Sequence, residues 1–163
     1  MPDVKPLGLE RREASSADEA FLYRLFVQTT EGEFRALGWS REQLAPLLRM
    51  QFEARFLHWR QYFGGAPEII LSGGEPVATI WLARSEHSFV VVDLAVDVAH
   101  RNRGIGTQLL IGAQAASAES GLPLRLTVST RNRPAEALYC RLGFRVVSED
   151  SLTRAMEWLP PPK

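Results

Sequence analysis

Apolar residues recur three and four positions apart in four segments of the chain, and they alternate or cluster in seven shorter ones. Ser16 and Glu19 form a capping box ahead of the first helical segment, which is predicted over residues 17–28. Ser40 and Gln43 form a second capping box and open a longer helix. The apolar face of this longer helix is Leu44, Leu48, Phe52, Phe56, Trp59 and Phe63. The pattern therefore predicts a pair of amphipathic helices in the first half of the chain.

The rest of the chain alternates strands with two further helices. Glycine and proline positions delimit these elements, because both residue types interrupt regular structure. Strands are predicted at residues 8–13, 69–71, 77–82, 88–96, 124–128, 144–148 and 153–158, and helices at 104–120 and 134–142. The order β-α-α-β-β-β-α-β-α-β-β predicts one mixed α/β (α+β) domain over residues 1–163, with parallel pairing confined to the two later crossovers.

Composition narrows the classes of function. The 19 basic and 19 acidic side chains balance, which argues against a protein that neutralises many phosphates of a nucleic acid. Lys5 and Lys163 are the only lysines, and neither follows the glycines of a phosphate-binding P-loop. No apolar run reaches the length of a membrane span, and the N-terminal segment lacks the apolar stretch of a signal peptide. We therefore expect a cytoplasmic protein with neither a membrane nor a nucleic-acid partner.

Metal-binding and redox chemistry find little support in the sequence. Cys140 is the single cysteine, so no intrachain disulfide can form, and we expect a buried structural thiol rather than a nucleophile. His58, His87 and His100 are far apart and share no ligand spacing with the cysteine or with paired carboxylates. We therefore expect no metal site.

A glycine-rich turn, HRNRGIGT at residues 100–107, joins the strongest predicted strand to the clearest later helix. Main-chain N–H groups at the start of a helix, with two glycines and two arginines beside them, are typical of an anion-binding site. The same residues also suit a plain strand-to-helix turn with solvated arginines. A Rossmann dinucleotide site is disfavoured, because Leu109 stands where its third glycine is required.

The segment from Asp93 to Phe144 carries a longer set of motifs. In order, they are Asp-Leu-Ala-Val, Arg-x-x-Gly-x-Gly with Thr-Gln-Leu-Leu, Leu-x-Val, an asparagine, Leu-Tyr and Gly-Phe. The set resembles the GNAT superfamily of N-acetyltransferases in residue type, spacing and order. The resemblance implies a mostly antiparallel central sheet of about seven strands with helices on both faces, acetyl-CoA as cofactor, and transfer of an acetyl group to an amine.

The resemblance also implies a role for particular residues. The strand before the turn would splay from the next parallel strand, and Leu94, Ala95 and Val96 would bind the pantetheine arm of acetyl-CoA through main-chain groups. Arg101 is the arginine of the motif, Asn132 matches a residue that contacts the cofactor arm, and Tyr139 matches a tyrosine near the thioester sulfur. The main-chain amides implied to hold the pyrophosphate are those of Arg103, Gly104, Ile105, Gly106 and Thr107.

The implied reaction is direct attack of a neutral primary amine on the thioester, without a covalent enzyme intermediate. Tyr139 can donate a proton to the thiolate leaving group, because its reference pKa of about 10 lies near that of a thiol. Asp93 has three possible roles: a general base, a residue that positions water, or a polar residue hydrogen-bonded near the sheet edge.

The resemblance implies that the region between the first two helices, together with the middle strands, shapes the acceptor pocket. Glu31 and Glu33 suit a cationic amine, with Phe34 and Trp39 as aromatic walls; a polar loop whose aromatics pack on the second helix is the alternative. Trp81 is assigned either to the pocket lining or to the core. Residues 1–100 carry 10 basic and 14 acidic side chains and residues 101–163 carry 9 and 5, which favours a cationic acceptor beside an anionic cofactor.

Two other functions are compatible with the same motifs. One is a non-catalytic acyl-CoA-binding module that senses or regulates, although a complete glycine turn together with a tyrosine disfavours it. The other is transfer of an acyl chain longer than acetyl. Neither the acceptor, which is a small amine or a peptide amine, nor the oligomeric state, for which a homodimer is possible, follows from the sequence.

Overall fold

The computed structural model describes residues 7–163, so the first six residues of the N-terminal segment considered above lie outside it. Eleven helices and strands follow one another in the predicted order. The strands are β1 (Glu10–Glu13), β2 (Glu68–Ser72), β3 (Glu75–Arg84), β4 (Phe89–Val96), β5 (Leu124–Ser129), β6 (Arg145–Glu149) and β7 (Thr153–Trp158). The helices are α1 (Glu19–Phe34), α2 (Arg41–Phe63), α3 (Ile105–Ser120) and α4 (Arg133–Arg141).

All seven strands form one sheet in the order β1-β2-β3-β4-β5-β7-β6. Every neighbouring pair is antiparallel except β4 and β5, which are joined through α3 and run parallel. The mixed, mostly antiparallel sheet expected from the sequence is therefore confirmed. The parallel pair lies near the centre of the sheet, and the carboxyl ends of its two strands are at the same edge of the sheet.

Helix α1 begins two residues later than the sequence suggested and also ends later. The capping box is formed by Ser15 and Asp18, not by Ser16 and Glu19, and it leads into a short 3-10 turn. Asp18 is buried and accepts two hydrogen bonds from Arg12, at 2.7 and 2.8 Å. This pairing with Arg12 lowers the pKa of Asp18 to about 2. The predicted end at residue 28 is wrong, since the helix continues to Phe34.

Helix α2 follows its predicted pattern closely. Ser40 and Gln43 form the expected capping box, and Gly64 ends the helix with a positive φ of 71°. The predicted apolar face is largely buried against α1 and the sheet, with Leu44, Leu48, Phe52 and Phe56 each less than 9% exposed. Trp81 belongs to this core: it is 1% exposed and donates from Nε1 to the Gly64 carbonyl at 3.2 Å.

Two apolar cores lie on opposite faces of the sheet. One core joins α1 and α2 to the sheet through Leu22, Phe26, Phe52, Phe56, Ile69 and Trp81. The other joins α3 and α4 through Ile105, Leu109, Leu110, Tyr139, Leu126 and Met156. Burial of these side chains stabilises the three-layer arrangement. Within residues 7–163 no helix is long and apolar enough to cross a membrane.

Candidate active site

The sheet opens between its two parallel strands. Pairing between β4 and β5 stops at Val91 and Leu126, although both strands continue beyond those residues. At the same level a bulge interrupts the pairing of β3 with β4, because Trp81 pairs with Asp93 while Leu82 pairs with Val91. A bulge inserts an extra residue and bends its strand, so β4 turns away from β5. The splayed strands expected from the resemblance are therefore present.

A cleft of about 1100 Å³ runs along this opening. Its walls come from the last two turns of α1, the end of β4, the start of α3, the end of β5 and one face of α4. Leu94, Ala95 and Val96 contribute the β4 side, where β3 pairs with one edge of the strand only. Successive peptide groups of a strand point to alternate edges. Part of this main chain therefore faces the cleft with no strand to bind.

The turn after β4 presents main-chain N–H groups to the other end of the cleft. Gly104 is the N-cap of α3 and has φ = 82°, a left-handed conformation that favours glycine. Within residues 7–163, no side chain caps the start of the helix, and its first turn holds no acidic residue. The first N–H groups of a helix have no intrahelical partner. The start of α3, at Ile105, Gly106 and Thr107, is therefore a positive site open to an anion.

The two arginines of the turn differ in position. The Nε atom of Arg101 donates to the Val96 carbonyl oxygen at 3.0 Å, which folds its side chain back over the end of β4 and along the cleft. Arg103 is exposed and is not part of the cleft wall. Of these two arginines, Arg101 therefore places its cation at the anion site.

An ion-pair network beneath the turn was not identified from the sequence. Asp97 is 7% exposed and accepts from Arg24 at 2.7 Å and from Gln28 at 3.1 Å, both on α1. Gln28 also accepts from the N–H of Val98 at 3.1 Å. Burial favours the neutral acid, but the Gln28 hydrogen bond, main-chain donation and the Arg24 charge together lower the pKa of Asp97. The network fastens the anion-binding turn to α1.

Two residues of α4 face the cleft from the far side. Asn132 is the N-cap of α4 and accepts from the N–H of Ala135 at 3.3 Å, so its side chain is fixed at the cleft wall. Tyr139 is 9% exposed and packs on Phe144 with ring centroids 5.9 Å apart. Burial, and then the charge of Asp93, raise the pKa of Tyr139 to about 12. Tyr139 is therefore a protonated phenol throughout the physiological pH range.

Asp93 approaches the opening from the opposite face of the sheet. It pairs with Trp81, whose side chain belongs to the core under α1 and α2, whereas its neighbour Leu94 belongs to the other core. Burial raises the pKa of Asp93 to about 6, against the opposing effects of the Arg55 charge and the Leu94 N–H. The charge of Asp93 also raises the pKa of Tyr139, so the two groups interact electrostatically. Tyr139 lines the cleft, whereas Asp93 lies outside the cleft wall, next to Leu94 and toward the other core.

The residues expected to bind the acceptor do not lie together in the structure. Residues 29–34 are helical rather than a loop. Glu31 does not line the cleft and forms an ion pair with Arg41, with an N–O distance of 3.1 Å. Glu33 is exposed and lines the cleft, while Trp39 is 48% exposed and does not. Trp81 is part of the core rather than the pocket lining.

The structure places Cys140 differently from the sequence interpretation, and it adds His100 to the residues of the cleft. Cys140 is exposed, so the expectation of a buried thiol is wrong: it follows the inward-facing Tyr139 on a short helix and points about 100° away. His100 lines the cleft beside Arg101. Within residues 7–163, its Nδ1 is the one buried side-chain nitrogen or oxygen without a hydrogen-bond partner. An unpartnered buried atom of this kind is a candidate contact for a ligand.

The fold is shared with solved acetyltransferase structures. One is PaiA N-acetyltransferase from Thermoplasma acidophilum in complex with coenzyme A (TM-score 0.72, 18% identity, 93% of this chain and 99% of that one). Another is Ard1 from Thermoplasma volcanium (TM-score 0.66, 20% identity, 94% and 99%). A third is the ribosomal-protein-S18-alanine N-acetyltransferase from Escherichia coli (TM-score 0.65, 17% identity, 95% and 97%). No curated protein matches the chain by sequence.

Residues 19–144 match the acetyltransferase (GNAT) family, and the chain therefore belongs to that family. The matched range runs from the first residue of α1 to Phe144, just before β6, so it includes both walls of the cleft. The family relation and the predicted fold class are confirmed together. The general reaction of the family is transfer of an acetyl group from acetyl-CoA.

Proposed function

We propose that the protein is an N-acetyltransferase that transfers the acetyl group of acetyl-CoA to a primary amine by direct attack. The observation that carries this proposal is the opening between β4 and β5, where an unpaired strand edge, an uncapped helix start and a buried phenol share one cleft. A thioester cofactor with a peptide-like arm and a pyrophosphate needs these three features together.

The residues present fit acetyl-CoA. The main-chain groups of Leu94, Ala95 and Val96 suit the amide-bearing pantetheine arm, and Asn132 and Nδ1 of His100 add polar contacts along the same cleft. The residues proposed to hold the pyrophosphate are Arg101, Gly104, Ile105, Gly106 and Thr107, which line the cleft, together with the main-chain N–H of Arg103, the residue before Gly104. When bound, acetyl-CoA supplies an activated acetyl group and a thiolate leaving group.

Two side chains transfer protons in the proposed reaction. Asp93, with a pKa of about 6, is ionised at neutral pH and accepts a proton from the amine, directly or through water. Tyr139, with a pKa of about 12, is always protonated and donates to the departing sulfur. A main-chain N–H at the end of β4 stabilises the negative charge that develops on the carbonyl oxygen. The two groups need opposite protonation states at neutral pH, and pKa values of about 6 and about 12 provide them.

Titration calorimetry with acetyl-CoA and a thiol-release assay with a panel of amines test this proposal. Wild type should bind acetyl-CoA and release thiol in the presence of an accepted amine. Tyr139→Phe should lower kcat by about 100-fold, the usual size of a general-acid contribution, while the Kd for acetyl-CoA changes little. A variant that matches wild type from pH 6 to 9 would show that Tyr139 is not the acid.

A non-catalytic acyl-CoA-binding module is the second candidate, because the same cleft would serve it. This function would show acetyl-CoA binding without thiol release for any amine. The pairing of a base and an acid with separated pKa values across the opening favours catalysis instead. Comparison of acetyl-CoA with longer acyl-CoA donors in the same assay determines the acyl group.

A further inference from the structure

Two arginines of α2 have nearly the same surroundings but different partners. Arg49 lies over the rings of Tyr23 and Phe52, at 5.0 and 5.7 Å, and also forms ion pairs with Glu19 and Glu53. The Arg55 guanidinium lies over the rings of Phe26 and Trp59, at 5.1 and 5.5 Å. Within residues 7–163, no carboxylate lies within 4 Å of it.

Packing holds the Arg55 guanidinium in place. Phe26 is 6% exposed and Trp59 packs edge-on against Trp81, with ring centroids 6.0 Å apart. Arginine stacks well on aromatic faces because its planar cation is weakly hydrated. The guanidinium is nevertheless on an exposed residue, so its N–H donors are accessible from solvent. The result is an oriented cation that forms no direct ion pair with any carboxylate of residues 7–163.

This cation lies on the same face of the sheet as Asp93. Trp81 and Asp93 are paired across β3 and β4, so their side chains point to the same face, and the Trp59 ring under the guanidinium packs on the Trp81 ring. The charge of Arg55 also lowers the pKa of Asp93. Leu94, the next residue along β4, lines the cleft. An acceptor whose amine is at Asp93 would therefore have its other end near Arg55.

We propose that Arg55 binds a carboxylate of the acceptor, so that the substrate is an amine that also carries a free carboxylate, as an amino acid does. The inference rests on the proposed acetyltransferase function and adds its substrate class. A guanidinium presents two parallel N–H donors that match the two oxygens of a carboxylate. Asp93 attracts the amine and Arg55 the carboxylate, so opposite charges orient a zwitterion across the site. Glu31, which the sequence had suggested for a purely cationic amine, already has Arg41 as its partner.

The test measures thiol release from acetyl-CoA with the twenty common L-amino acids, their α-carboxamides, and a reference set of polyamines and aminoglycosides. For an accepted side chain, kcat/KM of the acid should exceed that of the carboxamide by about 10- to 100-fold, the effect of one charged hydrogen bond. In Arg55→Met this preference should vanish through a raised KM for the acid alone. Arg55→Lys should restore part of it, because the charge remains but the planar fork does not.

Arg60→Met is the matched control, since Arg60 is an exposed arginine on the same helix that lines a separate groove. It should leave the acid preference unchanged. Equal kcat/KM for acids and carboxamides would overturn the inference. So would an Arg55→Met variant that slows both acceptors equally and shifts the acid limb of both pH profiles, because Arg55 would then serve only Asp93.

Different results would contradict the substrate class and the acetyltransferase function. Turnover of polyamines or aminoglycosides without turnover of any amino acid would overturn the substrate class and leave the acetyltransferase function in place. Acetyl-CoA binding without thiol release for any amine in the panel would overturn both.

Discussion

The turn between β4 and α3 and the layer formed by α1 and α2 approach the same opening but present different chemistry to it. The turn uses main-chain groups: an unpaired strand edge and an uncapped helix start, with side-chain identity mattering chiefly where φ is positive. The helical layer uses side chains, and most of its arginines already have carboxylate partners. A backbone site tolerates sequence change except at glycine, whereas a side-chain site is respecified by a single substitution. A short sequence motif is therefore enough to predict the cofactor side of the opening, but not the acceptor side.

Gly104→Asp should break the backbone site with the largest effect. Aspartate at φ = 82° is strained, and its charge opposes an anion at the start of α3. Like charges 4 Å apart near a protein surface repel by about 4 kcal/mol, so we expect calorimetry to show about a thousandfold loss of acetyl-CoA affinity. Gly112→Asp adds the same charge to an exposed position of the same helix and should bind normally. Unchanged affinity in Gly104→Asp would place the anion site elsewhere.

Asp93→Asn tests the role of the Asp93 carboxylate as the base beside the opening. Asp93 acts as a base only when ionised, so the wild-type rate should rise with pH through about 6. The variant should lose this acid limb and about 100-fold in kcat at pH 8, with the Kd for acetyl-CoA unchanged. Because burial raises the pKa of the folded carboxyl, the native protein loses stability from Asp93 as pH rises from about 4 to 6. The variant should therefore be no less stable than wild type at pH 8, and an acid limb that persists would exclude Asp93 as the base.

Asp97→Asn sharpens the comparison, because Asp97 is where the side-chain layer supports the backbone site. Asparagine keeps an oxygen for the N–H of Ala99 but loses the charge that Arg24 pairs with. We expect acetyl-CoA affinity to fall about tenfold, since a buried charge-assisted hydrogen bond of this kind is worth about 1.5–3 kcal/mol. Arg41→Met removes an exposed ion pair of the helical layer and should leave the affinity unchanged.

Asp18→Asn should have the smallest effect on function. Asp18 is distant from the cleft wall and stabilises the start of α1 through Arg12. Its lowered pKa contributes stability above pH 4 that is lost as pH falls through about 4 to 2. Calorimetry should therefore show a Tm lower by a few degrees at pH 7, and a difference that disappears near pH 2. A changed Kd for acetyl-CoA would show that the two regions are less independent than we argue.

Sequence reasoning performed best where one residue type is required by the backbone. The start of α3 follows from a strand, a glycine turn and a helix that are contiguous in the chain. The opening beside Leu94, Ala95 and Val96 was expected only from the family resemblance. The start of α1 was ambiguous, because Ser15 with Asp18 and Ser16 with Glu19 match the same capping pattern. The ion pair with Arg12, on another element, selects the first of them.

The acceptor side was less predictable for a related reason. The first helix was predicted to end at residue 28, but the hydroxyl of Thr29 donates to the Leu25 and Phe26 carbonyls, at 3.3 and 2.9 Å, and Thr30 is buried within the same helix. The position of Arg55 relative to Asp93 depends on how α2 packs across the sheet. Such distances arise from tertiary packing and leave no local pattern in the chain.

The interrupted ladder between β4 and β5 also has a thermodynamic consequence. Beyond Val91 and Leu126 the sheet has two internal edges that no strand within residues 7–163 completes. A molecule that binds there acts as part of the sheet and stabilises the native state by mass action, by about 2.7 kcal/mol at a free concentration 100 times its Kd. Amide hydrogen exchange at the end of β4 should slow on cofactor binding, while β1 and β2 remain unchanged. The resistance of this fold to heat and proteolysis would then follow the supply of its acyl donor.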